Sequence, residues 1–300
     1  FRRRLRILLA IGAAHAFLIW AGDILMLYAL LGFTLPWFAR RSQRALLRWA
    51  VALLAVHAVL YGIGLAVWEL AGAGSAPAPG GDGMPPAIMA VFARFGAGGV
   101  DDAFIANLQF VGLRWADLLV TMRFPKVLGM FVLGLWTVRA GIAAAPAAHR
   151  ALLARWMLLG WGIGLPANLL AAWGTERWAY LPPSAGAFLV VVLQAIGVPL
   201  LALGYAATVA LLVDARGALG RFAPVGRMAL TNYLMHSVVC VGLAYGFGFA
   251  LWWRIGASTA MAIALLIAAI QIPLSAWWLA RRRFGPVEWL WRRLTYARPI

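Results

Sequence analysis

A histidine and an aspartate eight residues apart, His15 and Asp23, interrupt an apolar stretch near the start of the chain. An imidazole beside a carboxylate suits general acid–base chemistry: the carboxylate fixes the tautomer and the far ring nitrogen takes up a proton. Each residue also has a purely structural reading. Asp23 precedes Ile24, Leu25 and Met26 and would serve as the N-cap of a second helix. His15 would make one helix–helix hydrogen bond, worth about 1 kcal/mol.

The densest polar cluster in any apolar segment is Thr231, Asn232, Tyr233 and His236. Asn232 and His236 share a helical face. The cluster suits contact with a ligand headgroup or an acyl donor, or it ties its helix to neighbours. Arg227, just upstream, is placed to meet a ligand phosphate or to act as a plain positive anchor. Arg114 and Arg123, with Trp115, Asp117 and Lys126, would hold an anionic group or rest among lipid phosphates. His57 and Tyr61 share a face at four-residue spacing. The single cysteine, Cys240, has no partner for an intramolecular disulfide, and no metal-ligand spacing is present. No nucleophile elbow, phosphate loop or zinc motif is found.

The elements that position these residues are membrane spans. Hydrophobic residues make up 64% of the 300 positions and charged residues 12%, where a soluble chain carries about 25%. The net charge of +17 does not point to nucleic acid, because the arginines fall in short runs between apolar segments. Apolar runs of spanning length begin with Leu5–Trp20, Ile24–Phe38 (with Pro36) and Ala45–Leu70. After an extracytoplasmic loop, 71–124, come Pro125–Ile142, Ala151–Trp173, Ala185–Val213, Met228–Phe249 and Ala257–Ala280. The loop holds a Gly/Pro-rich stretch, 71–86, and an amphipathic segment, Ile105–Met122. A basic cytoplasmic tail, 281–300, ends the chain.

The expected fold is therefore an all-α polytopic integral membrane protein: one transmembrane domain of about eight helices plus the amphipathic extracytoplasmic segment. With the first residues inside, 20 of the 26 basic residues fall on the cytoplasmic side, among them Arg216 and Arg298. The expected location is a bacterial inner membrane, with the first residues of this sequence and the basic tail cytoplasmic. Trp20, Trp68, Trp173, Trp178, Trp252 and Trp253 fall near outer span ends, as an interfacial belt would. The chain begins at Phe1 without an initiator methionine, and an N-terminal portion is expected to be missing.

Three separated strings carry a family resemblance. They are the stretch from Leu9 through His15, Gly22, Asp23 and Tyr28 to Gly32, the stretch Phe222–Leu234 with Pro224, Gly226, Arg227, Thr231, Asn232 and Tyr233, and the tail Phe284–Tyr296 with Gly285, Pro286, Glu288 and Trp291. In this order they resemble the YeiB-like proteins that carry the domain of unknown function 418. His236 departs from the pattern, which has Gln there. That family is similar to the transmembrane acyltransferase superfamily, whose members pass an acyl group from cytoplasmic acyl-CoA to an acceptor across the membrane. Their best-known catalytic histidine lies in an N-terminal region that finds no match here, so it is not carried over.

The resemblance thus implies a membrane acyltransferase with acyl-CoA as co-substrate and no bound cofactor. Its acceptor would be an envelope glycan, lipid or small molecule. His15 and Asp23 would be catalytic, and Arg227, Thr231, Asn232, Tyr233 and His236 would line the donor side. A transporter or flippase is the alternative, with Pro166 and Pro273 as helix interruptions. A non-catalytic membrane partner protein is the third. The expected partners are the lipid bilayer, the acyl donor and acceptor and a second copy of the chain, with no nucleic acid.

Overall fold

A computed structural model describes residues 1–71, 86–177, 184–216 and 218–296. Most of the Gly/Pro-rich stretch, Trp178, Arg298 and the Arg216 side chain lie outside the described residues. The described elements are helical and no strand occurs among them. In chain order they are α1 (Arg2–Leu18), α2 (Leu25–Gly32), α3 (Leu35–Phe38), α4 (Gln43–Leu70), α5 (Pro86–Ala97), α6 (Val100–Val120) and α7 (Arg123–Arg139). There follow α8 (Arg150–Leu159), α9 (Leu165–Arg177), α10 (Ala185–Arg216), α11 (Ala223–Arg227), α12 (Ala229–Ala244), α13 (Ala257–Arg281) and α14 (Pro286–Tyr296).

Among the described residues, four helical segments are long and apolar enough to cross a membrane: Gln43–Trp68, Pro146–Arg177, Ala185–Val213 and Ala257–Arg281. The count is five if Val100–Leu119 and Arg123–Arg139 form one broken span. These four coincide with the third, fifth, sixth and eighth apolar runs. The other runs form shorter helices. Ile24–Phe38 divides into α2 and α3, with the break at Phe33 and Thr34 just before Leu35–Pro36. Met228–Phe249 yields the 16-residue α12, which ends where Tyr245 turns to extended backbone. The segment expected over Ile105–Met122 begins at Val100, and its outward side carries Phe104, Ile105, Leu108 and Leu113.

Side-chain placement on α13 inverts the pattern of a soluble helix. Gln271 and Ser275 are buried, while Met261, Leu265 and Leu266 are each more than 60% exposed. Aliphatic groups facing out and polar groups facing in is what a lipid solvent selects. Pro273 lies inside this continuous helix and does not interrupt it, contrary to the expectation from sequence. Pro166 sits in the first turn of α9, directly after a π-helical turn at Gly160–Gly164.

The chain divides into two compact units. The first comprises Phe1–Phe33, Asp82–Ala116 and Leu219–Ile300, and the second Thr34–Gly81 and Asp117–Ala218. In the second unit α4 packs on α7 around Leu46, Ala50 and Val132, and Tyr61 packs on Ala187 and Val191 of α10. Close approach of the π turn to α10 depends on Gly160 and Gly204: a Cβ on Gly160 would lie 2.9 Å from the Gly204 nitrogen. The first unit holds an aromatic cluster of Phe95, Tyr245, Trp20 and Trp252. Trp20 and Trp252 therefore pack inward, whereas Trp173 and Trp253 stay largely exposed. The basic tail is not free: α14 folds back on α1, and the Trp291 indole donates to the Arg4 carbonyl at 3.0 Å.

Candidate functional site

The polar centre of the first unit is built at the junction of α1 and α2. Gly12 allows α2 to lie directly against α1, since a Cβ there would stand 2.6 Å from the Met26 nitrogen. The chain reverses after Leu18, and the turn is anchored by Asn107 of α6, whose side-chain oxygen accepts from the Ala21 amide at 3.1 Å. This reversal brings Asp23 back to His15. The Nδ1 of His15 lies 2.9 Å from Oδ1 of Asp23, and both residues are buried.

Asp23 makes both contacts that the sequence left open, one to His15 and one to the start of the second helix. Its Oδ2 accepts from the Met26 amide at 2.7 Å, capping the first turn of α2. Its Oδ1 accepts from His15. An ionised carboxylate only accepts, so the imidazole must donate from Nδ1. In the neutral ring that leaves a lone pair on Nε2, which is buried and has no hydrogen-bond partner. A buried polar atom left unsatisfied is uncommon and calls for an explanation.

Tyr233 of α12 completes the group. Its hydroxyl lies 3.4 Å from Asp23 Oδ1 and accepts from the Ile24 amide at 3.3 Å. Its ring centroid is 5.1 Å from that of His15. Consecutive residues on a helix point about 100° apart, so the neighbours of Tyr233 go elsewhere. Asn232 is turned onto α13: its side-chain amide donates to Ser275 Oγ at 3.0 Å, and its carbonyl accepts from Gln271 at 2.9 Å. Asn232 therefore ties helices together. Thr231 meets Glu288 of α14, donating its amide to Oε1 at 2.9 Å and its hydroxyl to Oε2.

His236 sits one helical turn beyond Tyr233 on α12. It lines a cavity of about 300 Å³ with Trp20, Ser237, Cys240, Tyr245 and Trp252. Ser237 Oγ donates to the Tyr233 carbonyl, so this cavity begins one turn along α12 from Tyr233. Arg227 donates to the Arg283 carbonyl at 3.3 Å and lines a separate basic cavity with Arg4 and Arg292. Arg114 belongs to the first unit and Arg123 to the second. Arg123 pairs with Asp117 at 3.6 Å, with both side chains more than a third exposed. Pairs so exposed contribute little. His57 of α4 is buried with Nδ1 lacking a hydrogen-bond partner. Among the described residues no group of three or more His, Cys, Asp or Glu side chains is placed to hold a metal.

Sequence reasoning missed Asn107 and Glu288. Asn107 was legible as the one amide on the buried stripe Ala103, Ala106, Val111 of α6. Glu288 carried the weaker signal of being the only acid in an arginine-rich tail.

A family profile described as "Protein of unknown function (DUF418)" matches residues 137–298. The chain is 32% identical to "Uncharacterized protein YxaH" of Bacillus subtilis (strain 168), over 98% of this chain and 71% of the relative. It is 31% identical to "Uncharacterized protein YeiB" of Escherichia coli (strain K12), over 97% of this chain and 74% of the relative. No solved structure matches the chain. A profile match across more than half of the chain and two relatives aligned along nearly all of it place this membrane protein in the DUF418 family.

Proposed function

We propose that the His15–Asp23 pair is the reaction centre of a membrane acyltransferase that uses acyl-CoA as donor and an envelope glycan, lipid or small molecule as acceptor. The supporting observation is the buried, Asp23-oriented imidazole whose Nε2 is left without a partner. In the proposed step Nε2 takes the proton from an acceptor hydroxyl or amine. The freed oxygen or nitrogen attacks the thioester carbonyl, the C–S bond breaks, and the CoA thiolate leaves with the proton returned by His15. Asp23 stabilises the imidazolium that forms between the two proton transfers. Tyr233 holds Asp23 in place from α12.

The orientation that accompanies this reading puts the first residues and α14 on the cytoplasmic side of a bacterial inner membrane. The charge bias of the loops supports it. A transporter reading drew on helices broken at prolines, and the continuity of α13 through Pro273 removes half of that support.

The test is transfer of labelled acetyl or longer acyl groups from acyl-CoA to envelope extracts by the full-length protein in liposomes. His15→Gln should abolish transfer while the protein stays folded. Equal transfer by wild type and variant would refute the assignment.

A further inference from the structure

The second polar feature of the first unit is a cavity of about 240 Å³ bounded by α1, α11 and α14. Four arginines from three parts of the chain line it: Arg4, Arg227, and Arg283 and Arg292 of the tail. We infer that this cavity is a receptor for a phosphate-bearing ligand, held by the in-plane N–H donors of these guanidiniums.

Three observations carry the inference. First, the arginines are posed rather than dangling. The guanidinium of Arg4 lies 4.2 Å from the centroid of the Trp291 ring, and that of Arg292 lies 4.5 Å from Phe284. Stacking engages the flat face of a guanidinium and leaves its edge donors available, the geometry that matches phosphate oxygens two at a time. Trp291 is itself held by its bond to the Arg4 carbonyl, and Arg227 by its bond to the Arg283 carbonyl.

Second, the charge is not neutralised. Among the described residues none of the four guanidiniums pairs with a carboxylate. The one acid lining the cavity, Glu288, commits both oxygens to Thr231, at the first turn of α12. A carboxylate suits that place, since a helix N-terminus presents free amides and a positive end. Among the described residues, four cations therefore face a space whose one lining carboxylate is already engaged by Thr231, and a multiply charged ligand would relieve their mutual repulsion.

Third, the elements are locked together. The Val287 amide donates to Thr231 Oγ1 at 3.1 Å, so α14 is fixed to α12 at both Val287 and Glu288. Preorganised donors lose less entropy on binding than mobile ones. The inference does not depend on acyl transfer at His15.

Phosphate in this position has two sources, a soluble phosphoanhydride or phosphomonoester and the headgroup of an anionic phospholipid. The experiment uses the full chain in phosphate-free detergent, with inorganic pyrophosphate and adenosine 3′,5′-bisphosphate as soluble probes. Nanodiscs of phosphatidylglycerol or of phosphatidylcholine supply the membrane source. Thermal stability and titration calorimetry read binding.

The expected result is saturable stabilisation by at least one phosphate source. It should weaken by about tenfold or more in Arg283→Gln and in Arg292→Gln. Arg292→Lys should lose part of the affinity, because charge remains but the fork is gone. Arg281→Gln is the control: Arg281 stacks on Trp277 at 4.7 Å, in the same basic tail but outside the cavity, and its loss should change affinity by less than about twofold. Stabilisation by the soluble probes assigns the site to a soluble ligand, and stabilisation only by phosphatidylglycerol assigns it to the headgroup. The inference is overturned if neither source stabilises the folded protein. It is equally overturned if Arg281→Gln weakens binding as much as Arg292→Gln, because diffuse charge would then explain the effect.

Discussion

Gly12 and Met26 are in such close apposition that a Cβ on Gly12 would stand 2.6 Å from the Met26 nitrogen and 2.9 Å from the Leu25 Cβ. Met26 is also the residue whose amide Asp23 caps. Contact between α1 and α2 and the geometry of the His15–Asp23 pair are therefore one constraint. Gly12→Val should push the helices apart and destabilise the protein by about 1–3 kcal/mol. Thermal unfolding in detergent measures the loss, and any activity assigned to His15 should fall with it.

The two roles of Asp23 separate by substitution. Asparagine keeps an oxygen for the Met26 amide but not the charge beside His15, so Asp23→Asn should cost little stability while disabling the pair. Asp23→Ala removes the cap as well, about 1 kcal/mol, and strands a buried imidazole. Comparing unfolding midpoints of the two variants checks this: equal losses would mean that the cap contributes nothing.

Asn232 bonds Ser275 and presents its carbonyl to Gln271 between α12 and α13. Asn232→Ala would leave Ser275 Oγ, fully buried, without its partner. A loss of about 1–3 kcal/mol is expected. Ligand binding at the basic cavity should be unchanged in protein that remains folded, as judged by calorimetry.

His15 and Asp23 were legible in the sequence because polar groups surrounded by apolar residues in lipid must find each other or a ligand. The spacing of eight residues across a glycine allowed a helical reversal. The span count was less legible. Hydropathy records how many apolar residues occur in a row, but α2 and α12 end inside such rows, where Pro36 and the Tyr245 turn act. The fate of Thr231–Asn232–Tyr233 was not legible at all, since their partners Glu288, Ser275 and Asp23 lie 57, 43 and 210 residues away. Only the packed structure decides which of three adjacent side chains faces the His15–Asp23 pair.

The tie between α12 and α14 rests on a charged acceptor. Glu288→Gln removes the charge and leaves one oxygen to accept where two now accept from Thr231, and it should lower stability by about 1–2 kcal/mol. It should also leave phosphate binding intact or stronger, because the Val287 amide still holds α14 to Thr231 while the cavity loses the one acid that lines it among the described residues. Calorimetry with pyrophosphate checks the sign, and a weakened affinity would mean that α14 must be held by Glu288 for the receptor to exist.

The most direct test of the reaction-centre assignment is single-turnover acyl transfer by the full-length protein in liposomes, with wild type, His15→Gln and Tyr233→Phe compared. The account predicts no transfer by His15→Gln at any pH, because no other group replaces Nε2. Tyr233→Phe should retain transfer at a rate reduced by roughly tenfold, since it loses a support of Asp23 and not the base. Wild-type transfer that persists undiminished in folded His15→Gln would contradict the account.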